Sequence, residues 1–238
     1  MGGNMKKISN PGLIKRNKQI GNYSQLAGMA VLIGGLVVTY FLPDRESPPV
    51  VLLSYLSLIV GFILVSIGSS FTNRWGRTPP PDEAIDEVLK GLDDRYTVIH
   101  YRLGADHALF APDGILAILG KYERGLISYD GKKWRQTGVS GFLKFFGTEA
   151  LGNPVDDSRF EAQNLTRRLQ KILETDDLPP VQPLIVFVND KTRVEADPSP
   201  VPALIASKVK EYIRHMPKTR VLRPDQLQTV IEYASGKK

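Results

Sequence analysis

The chain has 238 residues, 42% of them hydrophobic, with no cysteine, three histidines and a formal net charge of +6. The missing cysteine excludes disulfides, thiolate catalysis and cysteine-based zinc sites, and His100, His107 and His215 are too few and too scattered for a histidine-rich metal centre. From Thr78 onward Lys+Arg and Asp+Glu both number 23, so the whole positive excess flanks two apolar runs near the N-terminus, the pattern of a membrane protein rather than of a nucleic-acid binder.

Residues 1–25 form a basic segment with Lys6, Lys7, Lys15, Arg16 and Lys18 and no acid. Such a segment is expected to lie against anionic headgroups on the cytoplasmic side. Residues 26–68 hold two uncharged runs, Leu26–Leu42 and Val50–Gly68. Each approaches the roughly 20 apolar residues that a membrane-crossing helix needs. Two buried helices of a soluble core are the alternative, and the basic flanks argue against it. A signal peptide is rejected, because the first run starts late, lacks a convincing small-residue cleavage site and is followed by a second run.

The link Pro43–Pro49 is so short that the spans must form an antiparallel hairpin. Basic residues lie at both outer ends, so the positive-inside rule predicts a plasma-membrane protein with both termini in the cytoplasm and the loop outside. Gly28, Gly34 and Gly35 in the first span, and Ser54, Ser57 and Gly61 in the second, are small enough to let the helices approach closely. Neither span carries an ionisable side chain, so the hairpin reads as an anchor rather than a transporter. Residues 69–81, with Trp75 suited to the headgroup layer and prolines at 79, 80 and 81, read as a stiff linker.

Residues 82–238 are long enough for one domain with a real core. A helix is predicted over Asp82–Leu92, with Ile85, Val88, Leu89 and Leu92 on one face. Tyr96–Leu103, His107–Ala111 and Ile115–Lys121 read as strands, the last two joined at Pro112-Asp113-Gly114. Ile115–Leu119 is nearly all apolar, which marks a central strand covered on both faces. A further hairpin turns about Asp130-Gly131. Then come a helix over Asp157–Leu173, a buried strand over Pro183–Asn189, a helix over Val201–His215, a short strand near Arg220–Leu222 and a last helix from Pro224. The expected fold class is α/β: a transmembrane helical hairpin followed by a mixed-sheet α/β sandwich. There is no internal repeat, no dinucleotide-binding glycine motif, no P-loop and no nucleophile elbow.

From Glu83 to Val188 the string of features resembles the nuclease-related domain (NERD) family, a relative of the restriction-endonuclease-like fold. Its carriers are Glu83 in the first helix, Gly104-Ala105-Asp106-His107 entering a strand, Pro112-Asp113-Gly114, the strand Ile115–Lys121, Gly131-Lys132-Lys133-Trp134, Asn153-Pro154 before a helix, and Leu184–Val188. The resemblance implies a site in which an Asp at the head of one strand and a Glu near the end of the next hold Mg²⁺, with a Lys two residues on and a helix Glu assisting, to cut a phosphodiester. This chain keeps Glu83, Asp106 and Lys121. Leu119 stands where the family has its catalytic Glu, and Gly104 stands where it has the first Asp.

Three readings of the site remain open. Asp106 and Lys121 can be a structural ion pair or simply solvated. Glu123, two residues beyond Lys121, can replace the lost carboxylate and hold a metal with Asp106. Or the site binds a ligand without cutting it. His107 reads as a packed residue and His100 as strand surface or partly buried, Lys132, Lys133, Trp134 and Arg135 as a solvated hairpin tip, and Arg167, Arg168 and Lys171 as the polar face of a helix. The favoured function is a membrane-anchored NERD-like binding or scaffolding module with a degenerate site and no cofactor. The alternatives are a Mg²⁺-dependent nuclease using Asp106, Lys121, Glu83 and Glu123, and a hairpin that serves as a subunit of a larger assembly. Expected partners are the lipid bilayer, proteins at the membrane and, more weakly, nucleic acid.

Overall fold

A computed structural model describes residues 4–41, 47–139 and 151–236. The chain divides into two compact units. One joins the N-terminal segment through Asn10 with everything from Asp82 onward; the other is Pro11–Pro81.

The inserted unit is a pair of helices, α1 (Pro11–Phe41) and α2 (Pro48–Trp75), of 31 and 28 residues. At ~1.5 Å per residue both exceed the ~30 Å of a bilayer's hydrocarbon, and both are apolar enough to cross it. Leu36 and Phe62 are each 70% exposed. Outward-facing apolar side chains of this size suit lipid and rule against the soluble-core alternative.

What the two helices bury against each other is glycine: Gly21, Gly28 and Gly35 on α1, spaced by seven, and Gly61 and Gly68 on α2. A Cβ on Gly28 would stand 2.7 Å from the backbone N of Val65, and one on Gly68 2.6 Å from that of Gln25. Ser57 lies against Gly35, and the hydroxyls of Thr39 and Ser54 share a hydrogen bond of 2.6 Å. Of the small residues expected at this contact, Gly34 is the exception and faces open space. Asp44, Arg45 and Glu46 of the connecting loop lie outside the described residues.

The other unit is a mixed α/β sandwich. Its strands are β1 (Lys6–Ile8), β2 (Thr97–His100), β3 (His107–Ala111), β4 (Gly114–Lys121), β5 (Gly125–Tyr129), β6 (Trp134–Thr137), β7 (Val181–Phe187), β8 (Thr192–Glu195) and β9 (Ala203–Ile205). Six of them form one sheet in the order β1-β2-β3-β4-β7-β9, and β6-β5-β8 form a second. In the larger sheet β2, β3 and β4 run antiparallel in turn, while β7 and β9 continue parallel to β4.

The helices are α3 (Pro81–Leu89), α4 (Pro154–Leu173), α5 (Ala206–His215) and α6 (Pro224–Ala234). Strand alternation sorts the core. Leu109, Leu116, Ile118, Leu184 and Val186 pack under α3 and α5 through Ile85, Leu89, Val209 and Ile213. Ala108, Phe110, Ile115 and Ala117 pack under α4 and α6 through Leu165, Leu169 and Val230. The apolar run of β4 is therefore covered on both faces, as a central strand must be.

The structure departs from the sequence expectations at four places. Residues 6–8, read as part of a headgroup-facing tail, are an edge strand parallel to β2, with Lys7 opposite Val98. Met5 is buried and its N–H donates to the Leu92 carbonyl. The first part of the helix expected over Val201–His215 is β9. Pro202 biases the residue before it toward extended backbone, and the parallel edge of β7 captures Ala203–Ile205. Arg220–Leu222 joins no ladder. β2 ends at His100, because Tyr101 takes φ +56° and turns the chain out of the sheet.

The first of these changes the domain organisation. Ser9 Oγ donates to Asp82 Oδ2 at 2.7 Å, tying the residue before the hairpin leaves to the one after it returns. The hairpin is thus an insertion between the first strand and the first helix of the α/β unit, not a segment preceding it.

Candidate functional site

β4 ends at Lys121, whose carbonyl accepts the Val188 N–H at 2.9 Å. Its ammonium donates to the Leu151 carbonyl at 3.1 Å and to Asp157 Oδ2 at 3.3 Å, and it stands 3.9 Å from Glu123 Oε1. The side chains of Lys121 and Glu123 are only 11% and 3% exposed, against 49% for Asp157. A buried amine and a buried carboxylate are tolerable when each faces an opposite charge. Glu123 reaches this position although the strand has stopped: the chain turns inward and the Thr192 hydroxyl donates to the Glu123 carbonyl.

Asp106 lies half-buried just before β3, and its backbone N–H donates to Glu161 Oε2 at 2.7 Å. Glu83 is exposed in the first turn of α3. The structure therefore brings Lys121 and Glu123 together, by a turn of the chain and not by the continued strand that their spacing assumed. It adds two acids from α4, Asp157 and Glu161, that were not singled out from the sequence. The usable signal for them was their spacing of four in the helix after Asn153-Pro154, which puts both on one face.

Leu119, on the same face of β4 as Lys121, is buried in a cluster with Ile127, Leu151, Val155, Ile185, Phe187 and Val201. Val155 at the start of α4 and Ile185 and Phe187 of β7 close around it, so this position of the strand is a packing position.

The histidines are buried neighbours. His100 and His107, each 1% exposed, pair across β2 and β3 with their Nδ1 atoms 2.7 Å apart. His100 Nε2 reaches Asp86 Oδ1 at 3.2 Å, and Asp86 Oδ2 pairs with Lys7 Nζ at 3.1 Å. Burial pushes the Asp86 carboxyl up, but hydrogen bonds from His100 and Lys7, with the Lys7 charge behind the second, outweigh it and hold the group below its ordinary value. At the hairpin tip Trp134 packs against Tyr129 and Phe187, and Lys132 and Lys133 are exposed, their N–H groups donating to Asp130. Those two N–H groups, Lys133 first, hold the Asp130 carboxyl below its ordinary value.

The donor set does not fit the Mg²⁺ that the resemblance implies. Mg²⁺ requires oxygen ligands in octahedral array. Leu119 offers none, and the Lys121 ammonium occupies the space between Glu123 and Asp157, where it would repel a cation. Among the described residues no group of three acids or histidines is arranged to hold a metal.

Comparison with known proteins agrees with the pattern of residues. No curated protein and no solved structure matches the chain significantly. The family model described as nuclease-related domain matches residues 82–188, from the first turn of α3 to the end of β7. The chain therefore carries a nuclease-related domain, NERD, behind two apolar helices.

Proposed function

We propose that this protein is a two-span plasma-membrane protein whose nuclease-related domain faces the cytoplasm and acts as a binding or scaffolding module that does not cut nucleic acid. The observation that carries the reading is Leu119, buried in an apolar cluster at the strand position where the family places its catalytic Glu. A carboxylate is the one group there that could share a cation with Asp106, and an isobutyl side chain cannot replace it.

The membrane arrangement has its own support. β1 precedes the helices and β2 follows them, yet the two are hydrogen-bonded in one sheet. Residues 6–8 and 97–100 must therefore lie on the same side of any bilayer that α1 and α2 cross. The basic residues outside the apolar runs favour the cytoplasmic side, and anionic headgroups and membrane-associated proteins are the expected partners. Single cysteines introduced at Ser47 and at Ser235, into a chain that has none, test this. An impermeant maleimide applied to intact cells is expected to label position 47 and spare position 235.

One observation favours a second reading, a nuclease with a rearranged site. Two carboxylates, Glu123 and Asp157, flank Lys121. Asp106 and Glu83 would complete that site, with Mg²⁺ as its cofactor. Full-length protein in detergent, incubated with double- and single-stranded DNA and with RNA in the presence of Mg²⁺ or Mn²⁺, is expected to leave all of them intact. Metal-dependent cleavage that disappears in Lys121→Ala would establish the nuclease instead.

A further inference from the structure

Helix α4 gathers most of its acids early and most of its bases late. Asp156, Asp157 and Glu161 lie in its first half together with Arg159, and Arg167, Arg168 and Lys171 in its second. Asp157 and Glu161 are engaged by Lys121 and by the Asp106 backbone. The bases lie on a different feature. The loop from Tyr101 to Gly104 crosses the second half of the helix, and together they line an open cavity of about 370 Å³. Arg102 enters it from the loop; Asn164, Arg167, Arg168 and Lys171 line it from the helix. No acid lines it.

Dipole complementarity accounts for a lysine in the last turn of a helix. It does not account for Arg102, which belongs to another element. Its Nε is shut off from solvent and makes no hydrogen bond. Arg168 donates to the Tyr233 hydroxyl and stacks over that ring at 5.1 Å. Arg102, Arg167 and Lys171 have no ion-pair partner among the described residues. Four cations converging on one concavity repel each other unless an anion occupies it.

The loop is built for this approach. The Tyr101 N–H closes it on the Asp106 carbonyl at 2.9 Å. Gly104 sits at φ +81°, and a Cβ there would come 3.3 Å from the Asn164 carbonyl oxygen, so the loop rests directly on the helix. The nuclease-related pattern has an Asp where this chain has Gly104. Its loss leaves cations as the only charged groups among the described lining residues.

We propose that this cavity binds a small ligand bearing a diphosphate group. Guanidinium forks take phosphate oxygens two at a time, and the several negative charges of adjacent phosphates match the four cations. The volume is that of a small-molecule site, of the order of 300 Å³ and upward, in an open concavity where one loop meets one helix. The site goes beyond the function proposed above and stands whether or not the domain cuts.

Titration calorimetry of the full-length protein in detergent with inorganic pyrophosphate tests the site. One-to-one saturable binding is expected, weakened about tenfold or more in Arg102→Gln and in Arg167→Gln, as loss of a charge-assisted fork should do. Lys132→Gln removes the same charge from the exposed hairpin tip and is expected to bind as the parent does. Because Arg102 is partly buried, its variant is checked by thermal unfolding. Arg167 is exposed, so Arg167→Gln carries the test if Arg102→Gln fails to fold. A single-stranded oligothymidylate forms the second arm. No saturable pyrophosphate binding, equal weakening in Lys132→Gln, or tighter oligothymidylate binding through the same arginines would each overturn the proposal.

Discussion

His100 and His107 face each other across β2 and β3 with their Nδ1 atoms 2.7 Å apart, in a part of the sheet that excludes solvent. One proton arrangement satisfies every contact: His100 donates from Nε2 to Asp86, leaving its Nδ1 lone pair to accept the Nδ1–H of His107. The rings thus form a relay running from the interior of the sheet to Asp86 and on to Lys7 of the edge strand. His107→Ala would strand the His100 nitrogen without that donor. The expected loss is about 1–3 kcal/mol, the cost of an unmet buried polar group, read by denaturant unfolding of the full-length protein.

Asp86 makes the relay sensitive to acid. Its carboxyl titrates below the ordinary value of 3.8, because the hydrogen bonds from His100 and Lys7 outweigh burial. The folded state therefore holds this proton more weakly than the unfolded chain. The resulting stability is complete above about pH 4 and is lost as pH falls from 3.8 through the lower folded value. Asp86→Asn is expected to lower stability at neutral pH, with its difference from the parent shrinking below pH 4. A difference that stays constant over that range would remove Asp86 from the account.

Leu119→Glu restores the family's residue type and is expected to damage the protein rather than repair it. The new carboxylate would enter the cluster of Leu151, Val155, Ile185 and Phe187. Burying it there should cost on the order of 2 kcal/mol or more, seen as a lower melting temperature, with no gain of Mn²⁺ affinity by calorimetry.

The glycines of the hairpin differ in a way that substitution should expose. Gly28→Leu would drive a side chain into the backbone of Val65, whereas Gly34→Leu meets nothing within 4 Å. In detergent the first is expected to lower the melting temperature of the helix pair and the second to leave it within about 0.5 kcal/mol, as ordinary surface changes do.

Residues 82–238 expressed alone lack β1, which leaves β2 as a bare edge with Val98 and Ile99 beside it. An unprotected edge of this kind pairs with other copies, so the fragment is expected to aggregate on size-exclusion chromatography. Joining residues 4–10 to residue 82 by a short Gly-Ser linker should restore a monodisperse species, since the side chains of Ser9 and Asp82 already touch. A fragment equally well behaved without residues 4–10 would refute the role given to β1.

The spans, the central strand β4 and the course of the nuclease-related domain were legible because each is written locally, in an uncharged run, an apolar run or a string of turns. β1 was not. Three residues, two of them lysines, carry no alternation to read, and what makes them a strand is a partner 91 positions later. β9 was absorbed into a helix because Ala203–Ile205 is apolar in either period, and only the open edge of β7 decides between them. At the site, Lys121 and Glu123 were singled out on the assumption that the strand runs on, and a turn of the chain brings them together instead. Asp157 and Glu161 come from a helix more than thirty residues downstream, and a single sequence holds no record of that approach. The arginines of α4 looked like an ordinary solvated face, because what makes them otherwise is Arg102, delivered by a loop whose shape depends on Tyr101 at positive φ.

β1 leaves the ribosome before the two helices, but the residues it must zip against emerge only after both have been made; Asn10 and Tyr101, which meet at that seam, are 91 residues apart. The sheet can close only once the hairpin has been handed to its membrane. Biosynthesis thus acquires a checkpoint: a chain whose spans are delivered wrongly, with its two flanks on opposite sides, cannot finish folding its enzyme-like half.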